Sequence, residues 1–279
     1  MESVGGLPLL RVTVWGVTES LRLLPGLRLV RRDADHVQLG VDPPRCAVLR
    51  DLPEVRRLVS DLAVGNRPAR PGPEAGRALA AIIDAGLLVP DDSPQRRERL
   101  AKARLRVDAE PDVAAGVTAL LEAAGVRRGA RRAAPDAVLL VCEGEVARGR
   151  VDPLVRDEVP HLLVRDHGHE VVVGPFVAPG RTACLRCVDC HLGELDPRRG
   201  LALEQAATLQ PLVTPPVDAT LRAVALSLAV RDLVTFVEGD QPATWSATLT
   251  AGRPLDLTPT RWLRHAACGC AWGDLAVAG

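Results

Sequence analysis

Gly180-Arg181-Thr182-Ala183-Cys184-Leu185-Arg186-Cys187 decides how the chain folds, together with His265-Ala266-Ala267-Cys268-Gly269-Cys270 near the C-terminus. A CxxC pair and a CxC pair supply four thiolates, the ligand set of a closed, tetrahedral structural zinc site with Zn–S bonds of roughly 2.3 Å. Two cysteines with two residues between them can wrap one ion from a single turn, and Gly269 lets the backbone fold tightly over it. Four sulfurs leave no open coordination position, so such a site is a structural clamp rather than a reaction centre. Cys190 makes a second, overlapping CxxC with Cys187, so any two of Cys184, Cys187 and Cys190 complete a set with Cys268 and Cys270. Cys184 and Cys187 are the favoured pair.

Composition sets the frame. The chain has 279 residues, of which 47% are hydrophobic and 25% charged, which suits a globular protein of two domains. Aromatics are scarce: two Phe, four Trp and no Tyr. The 35 basic and 35 acidic residues cancel, which argues against a nucleic-acid binder that relies on a basic field. No apolar run approaches a membrane span and no basic-plus-apolar leader opens the chain, so no membrane role is expected. Without an export signal the seven cysteines read as reduced thiols and metal ligands, and a cytoplasmic location is expected.

Outward from the first cysteine pair, Val171–Val177 reads as a strand that leads into it after a turn at His167-Gly168. Upstream, the predicted strands are Leu105–Val107, Ala137–Val141 and His161–Val164, with helices over Val113–Ala124 and Asp152–Val159 between them. The run at Ala137–Val141 is continuously apolar, as in a buried parallel sheet. Strand–helix alternation predicts a Rossmann-like α/β domain. Downstream, a buried helix is predicted over Val217–Val237, followed by strand-like segments at Thr244–Leu249 and Asp256–Leu263 that deliver the second cysteine pair.

Asp91-Asp92-Ser93-Pro94 marks a boundary, giving domains 1–92 and 93–279, the second opening with a charged helix at Gln95–Ala103. In the first domain, Leu9–Val14 is a strand or a loosely attached arm. A hairpin follows (Leu27–Arg32 and His36–Val41 about the turn Asp33-Ala34-Asp35), then a strand at Cys46–Leu49. Pro53 opens a helix through Glu54–Ala63. Beyond a Pro/Gly/Asn-rich loop, a second helix covers Pro73–Ala85 with Gly86 as its C-cap. Strands followed by helices make a small winged-helix-like α+β module. The outward side of its second helix is poor in groups that read bases, which disfavours DNA binding.

A Rossmann-like domain invites a nucleotide at its first strand-to-helix turn, where glycines let backbone amides approach phosphate. That turn is Asp108-Ala109-Glu110-Pro111-Asp112, with no glycine and three carboxylates that repel a polyphosphate. No ATP site is expected. His161, His167, His169 and His191 read as surface or hydrogen-bonded residues, Cys46 and Cys142 as core, and no GxSxG nucleophile motif appears. No catalytic residue is assigned.

Val173–Cys187, followed by Asp196-Pro197 and by His265–Cys270, resembles the ThiF-like cyclodehydratase component of azol(in)e-forming peptide biosynthesis, the TOMM precursor leader peptide-binding proteins of bacteriocin and thiopeptide clusters. His36–Pro44 is similar to the start of that family, a precursor-peptide recognition element. The resemblance implies a non-catalytic subunit. Its N-terminal module captures the leader of a ribosomally made (RiPP) precursor, and its ThiF-like, zinc-stabilised domain is related to ubiquitin-activating enzymes but has lost ATP binding. A separate YcaO-type partner would form azolines on Cys, Ser or Thr. The leader would add a strand beside Cys46, Ala47, Val48 and Leu49 and lie against the second helix, at Arg77 and Ala81. A homodimer is left open. The competing readings are an ATP-dependent adenylating enzyme of the ThiF class and a zinc-containing winged-helix DNA-binding regulator.

Overall fold

The computed structural model describes residues 21–66, 71–90, 93–127, 134–209 and 218–271. The strand or arm expected at Leu9–Val14 lies outside them. Two units separate after Gln95: Met1–Gln95 and Arg96–Gly279.

The first unit runs β1 (Leu21–Leu23), β2 (Leu29–Arg31), β3 (His36–Leu39), β4 (Ala47–Arg50), α1 (Pro53–Ala63), α2 (Pro73–Asp84) and β5 (Leu88–Pro90). β2, β3 and β4 form an antiparallel meander in that order, and β1 pairs with β5 in a separate two-stranded ribbon. Asp33 makes the predicted turn: its carboxylate accepts the N–H groups of Asp35 and His36 at 2.9 and 2.8 Å. β3 stops at Leu39 rather than Val41 because Gly40, at φ +78°, takes the chain out of the sheet. A Cβ there would lie 2.3 Å from the Arg45 carbonyl oxygen. Alternation then does the rest: Val37, Leu39, Ala47 and Leu49 point inward and meet Val55, Leu58 and Leu62 of α1 and Ala78 and Ile82 of α2. Both helices open on proline, and Gly86 (φ +63°) follows the second.

α3 (Ser93–Lys102) leads to the second unit: β6 (Leu105–Asp108), α4 (Pro111–Ala123), β7 (Ala137–Glu143), α5 (Arg148–Arg156), β8 (His161–Asp166), β9 (Val171–Val177), α6 (Leu185–Gly193), α7 (Arg199–Ala206), α8 (Ala219–Glu238), β10 (Ala247–Ala251) and β11 (Thr260–Arg261). The six strands lie side by side in their sequence order. β6, β7 and β8 are parallel, as the βαβ pattern predicts. β9, β10 and β11 are each antiparallel to the strand before them, so the sheet is mixed. Odd residues of β7 (Ala137, Leu139) join Val117 and Leu121 of α4 and Ala225, Ala229 and Leu233 of α8. On the other face, Val138 and Leu140 meet Leu154 of α5, and Cys142 meets Val151 of α5 and Leu185 of α6.

Several boundaries move. α5 covers Arg148–Arg156 rather than Asp152–Val159, so Pro153 sits inside the helix instead of opening it, and Val151 and Leu154 are what it buries. The strand expected over Asp256–Leu263 shrinks to Thr260–Arg261, and α6 and α7 are additional helices. α7 buries none of its residues, so it carries no apolar period to read.

Two buried polar groups of this unit, Asp232 and His161, have consequences for its stability. Asp232 of α8 accepts the N–H groups of Ala243 and Thr244, each at 2.9 Å, and the Thr244 hydroxyl, holding the turn that enters β10. Asp232→Ala strands those donors and is expected to cost about 3 kcal/mol in chemical denaturation. His161 is fully buried. Its Nδ1–H donates to the Val159 carbonyl at 2.9 Å, while Nε2 has no partner among the described residues. Burial pushes its pKa down, against the smaller upward pull of that hydrogen bond. Below about pH 6.5 the unfolded chain therefore binds the proton more readily than the fold does. Stability is expected to be complete above that pH and to fall as pH drops toward the folded pKa, by up to about 1.4 kcal/mol per pH unit. Melting curves between pH 7 and 5 should show this slope in the wild type and a shallower one in His161→Gln.

Candidate metal centre and the open sheet edge

Beyond β9 the chain turns sharply. The N–H groups of Arg181 and Thr182 bond the Ala178 carbonyl at 2.9 and 3.1 Å, and the Thr182 hydroxyl accepts the Ala178 N–H at 2.8 Å. The Ala183 N–H is held by Ser246 Oγ at 2.9 Å. Cys184 then caps α6, its carbonyl accepting the N–H of Cys187 at 3.0 Å, so the two sulfurs return to one spot. The second pair arrives from β11. Trp262 is tied to the sheet through Nε1–H to Thr248 Oγ1 at 3.0 Å and through its main-chain N–H to the Ser246 carbonyl at 2.8 Å.

These turns gather Cys184, Cys187, Cys268 and Cys270, three of them buried and one half-buried, with all four sulfurs within 4.8 Å of one another. Sγ···Sγ separations are 3.8 Å (Cys184–Cys187), 3.6 Å (Cys184–Cys268) and 3.3 Å (Cys187–Cys270). These lengths are far beyond a disulfide bond, and all seven cysteines are free thiols. They are close to the edge of a tetrahedron of sulfurs about a cation with 2.3 Å bonds, about 3.8 Å. The four residues therefore fit a metal ion. Cys190 packs against the cluster but lies outside the sulfur group, which resolves the overlap in the sequence. Being another three residues along α6, it sits about 4.5 Å farther up the axis.

The thiols share protons strongly. The hydrogen bond from Cys184 to Cys187 pushes the Cys184 thiol above the ordinary range and holds Cys187 below it. Cys184 draws Cys270 down, but Cys187 and burial outweigh this and push it up to about 12. A cation must displace these protons, so affinity falls as pH falls. A cavity of about 500 Å³ beside the cysteines is lined by Arg148, Arg186 and Arg264 together with Asp152 and Glu158, and Arg186 is paired with Asp152 at 2.6 Å.

Sequence reasoning passed over two neighbours of this centre. His265 Nε2 lies 3.0 Å from Glu194 Oε1, and the His191 ring stands edge-on to His265 at 4.7 Å. The only sequence signal was the position of His265 at the head of the second cysteine motif. His191 Nε2–H reaches the Leu263 carbonyl at 2.9 Å, so it is hydrogen-bonded as expected, and His169 is exposed.

At the C-terminal ends of β7 and β8, where α/β sheets receive ligands, the space is filled by ion pairs. Arg148 holds Asp189 at 2.6 Å and Glu145 at 3.2 Å, Arg165 holds Glu145 at 3.1 Å, and His167 lies 3.9 Å from Glu145. Burial alone would raise the Glu145 carboxyl, yet Arg165 and Arg148 hold it below the usual range. Asp108, at the end of β6, is paired with Arg150 at 3.1 Å.

In the first unit, β4 is one of the two outer strands of its sheet among the described residues, β2 being the other. The Asp51 N–H bonds the Asp35 carbonyl, while the Arg32 and Gly40 N–H groups bond across to His36 and Arg28. Alternation along an antiparallel ladder then assigns Ala47 and Leu49 to β3 and turns the main-chain groups of Val48 and the N–H of Arg50 outward. The side chains divide the same way: Ala47 and Leu49 are in the core, whereas Val48 is 45% exposed. Of the expected peptide contacts, then, Ala47 and Leu49 are turned away, Cys46 is half-buried, and Val48 faces out. On α2, Ala81 packs partly into the core, and Arg77 is exposed and paired with Glu74.

No family model and no curated protein matches the sequence. The fold, however, is similar to solved structures. The heterocyclase TruD superposes with a TM-score of 0.65 at 16% identity, over 91% of this chain and 43% of TruD. A heterocyclase in complex with substrate and cofactor gives 0.64 at 15% identity, over 91% of this chain and 40% of that one. Escherichia coli MccB gives 0.56 at 10% identity, over 90% of this chain and 96% of MccB. MccB has been solved with MccA and with ATP. At such identities the likeness is one of fold, a mixed α/β architecture, and the chain spans about two fifths of the heterocyclases it resembles.

The sulfur geometry predicts one tightly held metal ion per chain by elemental mass spectrometry. Cys268→Ser should empty the site and lower the melting temperature of the second unit. Removing metal from the wild type with a chelator should lower it in the same way.

Proposed function

We propose that this chain is a non-catalytic subunit of an azoline-forming system for ribosomally made peptides. Its first unit captures the leader of the precursor, and its second unit, held by zinc on Cys184, Cys187, Cys268 and Cys270, docks a separate ATP-using cyclodehydratase of the YcaO type. The observation that carries this reading is the β4 edge, open among the described residues, with the main-chain groups of Val48 and the N–H of Arg50 presented to an incoming strand. A peptide added there gains main-chain hydrogen bonds, and the exposed Val48 side chain and the α2 side of the sheet set its register.

Three further points support it. The fold is similar to about two fifths of each heterocyclase, over nine tenths of this chain. Among the described residues the strand order of the sheet does not reverse, so they form no switch-point crevice of the kind in which open α/β sheets hold nucleotides. The β6–α4 turn carries Asp108, Glu110 and Asp112, and Arg150 and Arg148 are already committed to carboxylates.

A second reading, an adenylating enzyme of the ThiF class, is favoured by the likeness to MccB over nearly the whole of that chain and by its structure with ATP. ATP–pyrophosphate exchange discriminates: the first reading expects none with any leader or precursor added.

Peptide capture is measured by anisotropy of a fluorescent leader from a precursor encoded beside this chain. Saturable binding is expected, and its absence sinks the proposal. Val48→Pro deletes an outward N–H while sparing the bonds to β3, and should weaken binding about tenfold, near 1.4 kcal/mol, with little change in melting temperature. Unchanged affinity in this variant would place the peptide elsewhere.

A further inference from the structure

We propose that His265 and Glu194 are a positioning pair for the metal centre, a strut that holds the second cysteine pair in ligating position against the helix that bears the first. It rests on the tetrathiolate reading of the four cysteines.

His265 sits where both pairs meet. Its main-chain carbonyl accepts the Cys268 N–H at 2.9 Å. Its ring Nδ1 accepts the Ala267 N–H at 3.1 Å, which closes the turn just before Cys268. That bond settles the tautomer: Nδ1 is bare, so Nε2 carries the ring proton and donates it to Glu194 Oε1 at 3.0 Å. Glu194 is the C-cap of α6, the helix that starts at Cys184 and carries Cys187. One turn earlier on α6, His191 donates to the Leu263 carbonyl and packs edge-on against the His265 ring. The end of α6 thus grips residues 263–265 at two points, and the chain between them and Cys270 is set by the grip.

The ligating atoms of His191, Glu194 and His265 also lie within 4.8 Å of one another, a spacing suited to a second cation. The tautomer argues against that use. To ligate through Nε2, His265 would have to protonate Nδ1, which faces a backbone N–H donor. The group is complete without a metal, and its role is to orient the ligands next to it, as partners behind a metal's ligands commonly do.

The test follows zinc release from the full-length protein to a chromophoric chelator. Glu194→Ala removes one end of the strut at a site whose side chain is 66% exposed, so the fold tolerates it. His265→Asn keeps an acceptor for the Ala267 N–H but cannot reach Glu194. Each is expected to weaken zinc retention about 10- to 100-fold, with an unchanged circular dichroism spectrum. The double variant should be no worse than His265→Asn alone, since both changes break one contact. His265→Ala, which also opens the turn, should release faster still. Wild-type release from Glu194→Ala, or factors that multiply in the double variant, would overturn the strut while leaving the tetrathiolate site intact. A wild-type protein that holds no zinc would overturn that site, and the strut with it.

Discussion

Four sulfurs within 4.8 Å of one another, mostly out of reach of water, are the constraint on which the second unit depends. Such a group cannot carry four negative charges unaided. It either keeps its protons or takes a cation, and only the cation draws all four sulfurs to one point. What the clamp joins is distant in sequence: the end of β9 with α6 on one side, and the segment after β11 on the other. β11 is a two-residue strand at the sheet's edge, so little else secures the chain there beyond Trp262 on β10 and the grip at the end of α6.

This arrangement has a consequence for the rest of the sheet. In many α/β proteins the C-terminal strand ends are reserved for a ligand. Here the β7 and β8 ends are closed by paired charges, Arg148 and Arg165 with Glu145 and Asp189, and the β6 end by Arg150 with Asp108. The Arg150–Asp108 pair is exposed, and buried pairs such as those of Glu145 add little net stability over apolar packing. They do fix the loops that carry them, and they leave the donors that would bind a phosphate already engaged. In the first unit it is backbone rather than side chain that is on offer, at the outer side of β4.

β4 serves the core with one side only. Its inner residues, Ala47 and Leu49, serve the core with side chain and backbone alike, and its outer ones, Val48 and Arg50, serve neither. A strand that keeps a free edge invites pairing. Arg50 and Arg77, both paired with Glu74, place charge beside it, which discourages indiscriminate association.

Much of this was legible in the residues themselves. Cysteine spacing named the four residues that cluster, because a CxxC and a CxC each return two sulfurs to one spot. Period-two and helical patterns named β3, β4, α1, α2 and the βαβ run, since each buries a face set by local geometry. The acidic β6–α4 turn could likewise be read directly. Other features needed the third dimension. β1 is three residues long and finds its partner at Leu88–Pro90, so no local pattern announces it. The choice between Cys184 and Cys190 was decided by where α6 begins, because both make the same spacing with Cys187. The open edge depended on which residues of β4 bond to β3, and the His265–Glu194 contact on α6 running back past the second knuckle. Short-range preference determines elements and ligand types; register, strand order and side-chain meetings across 71 residues are decided only by packing.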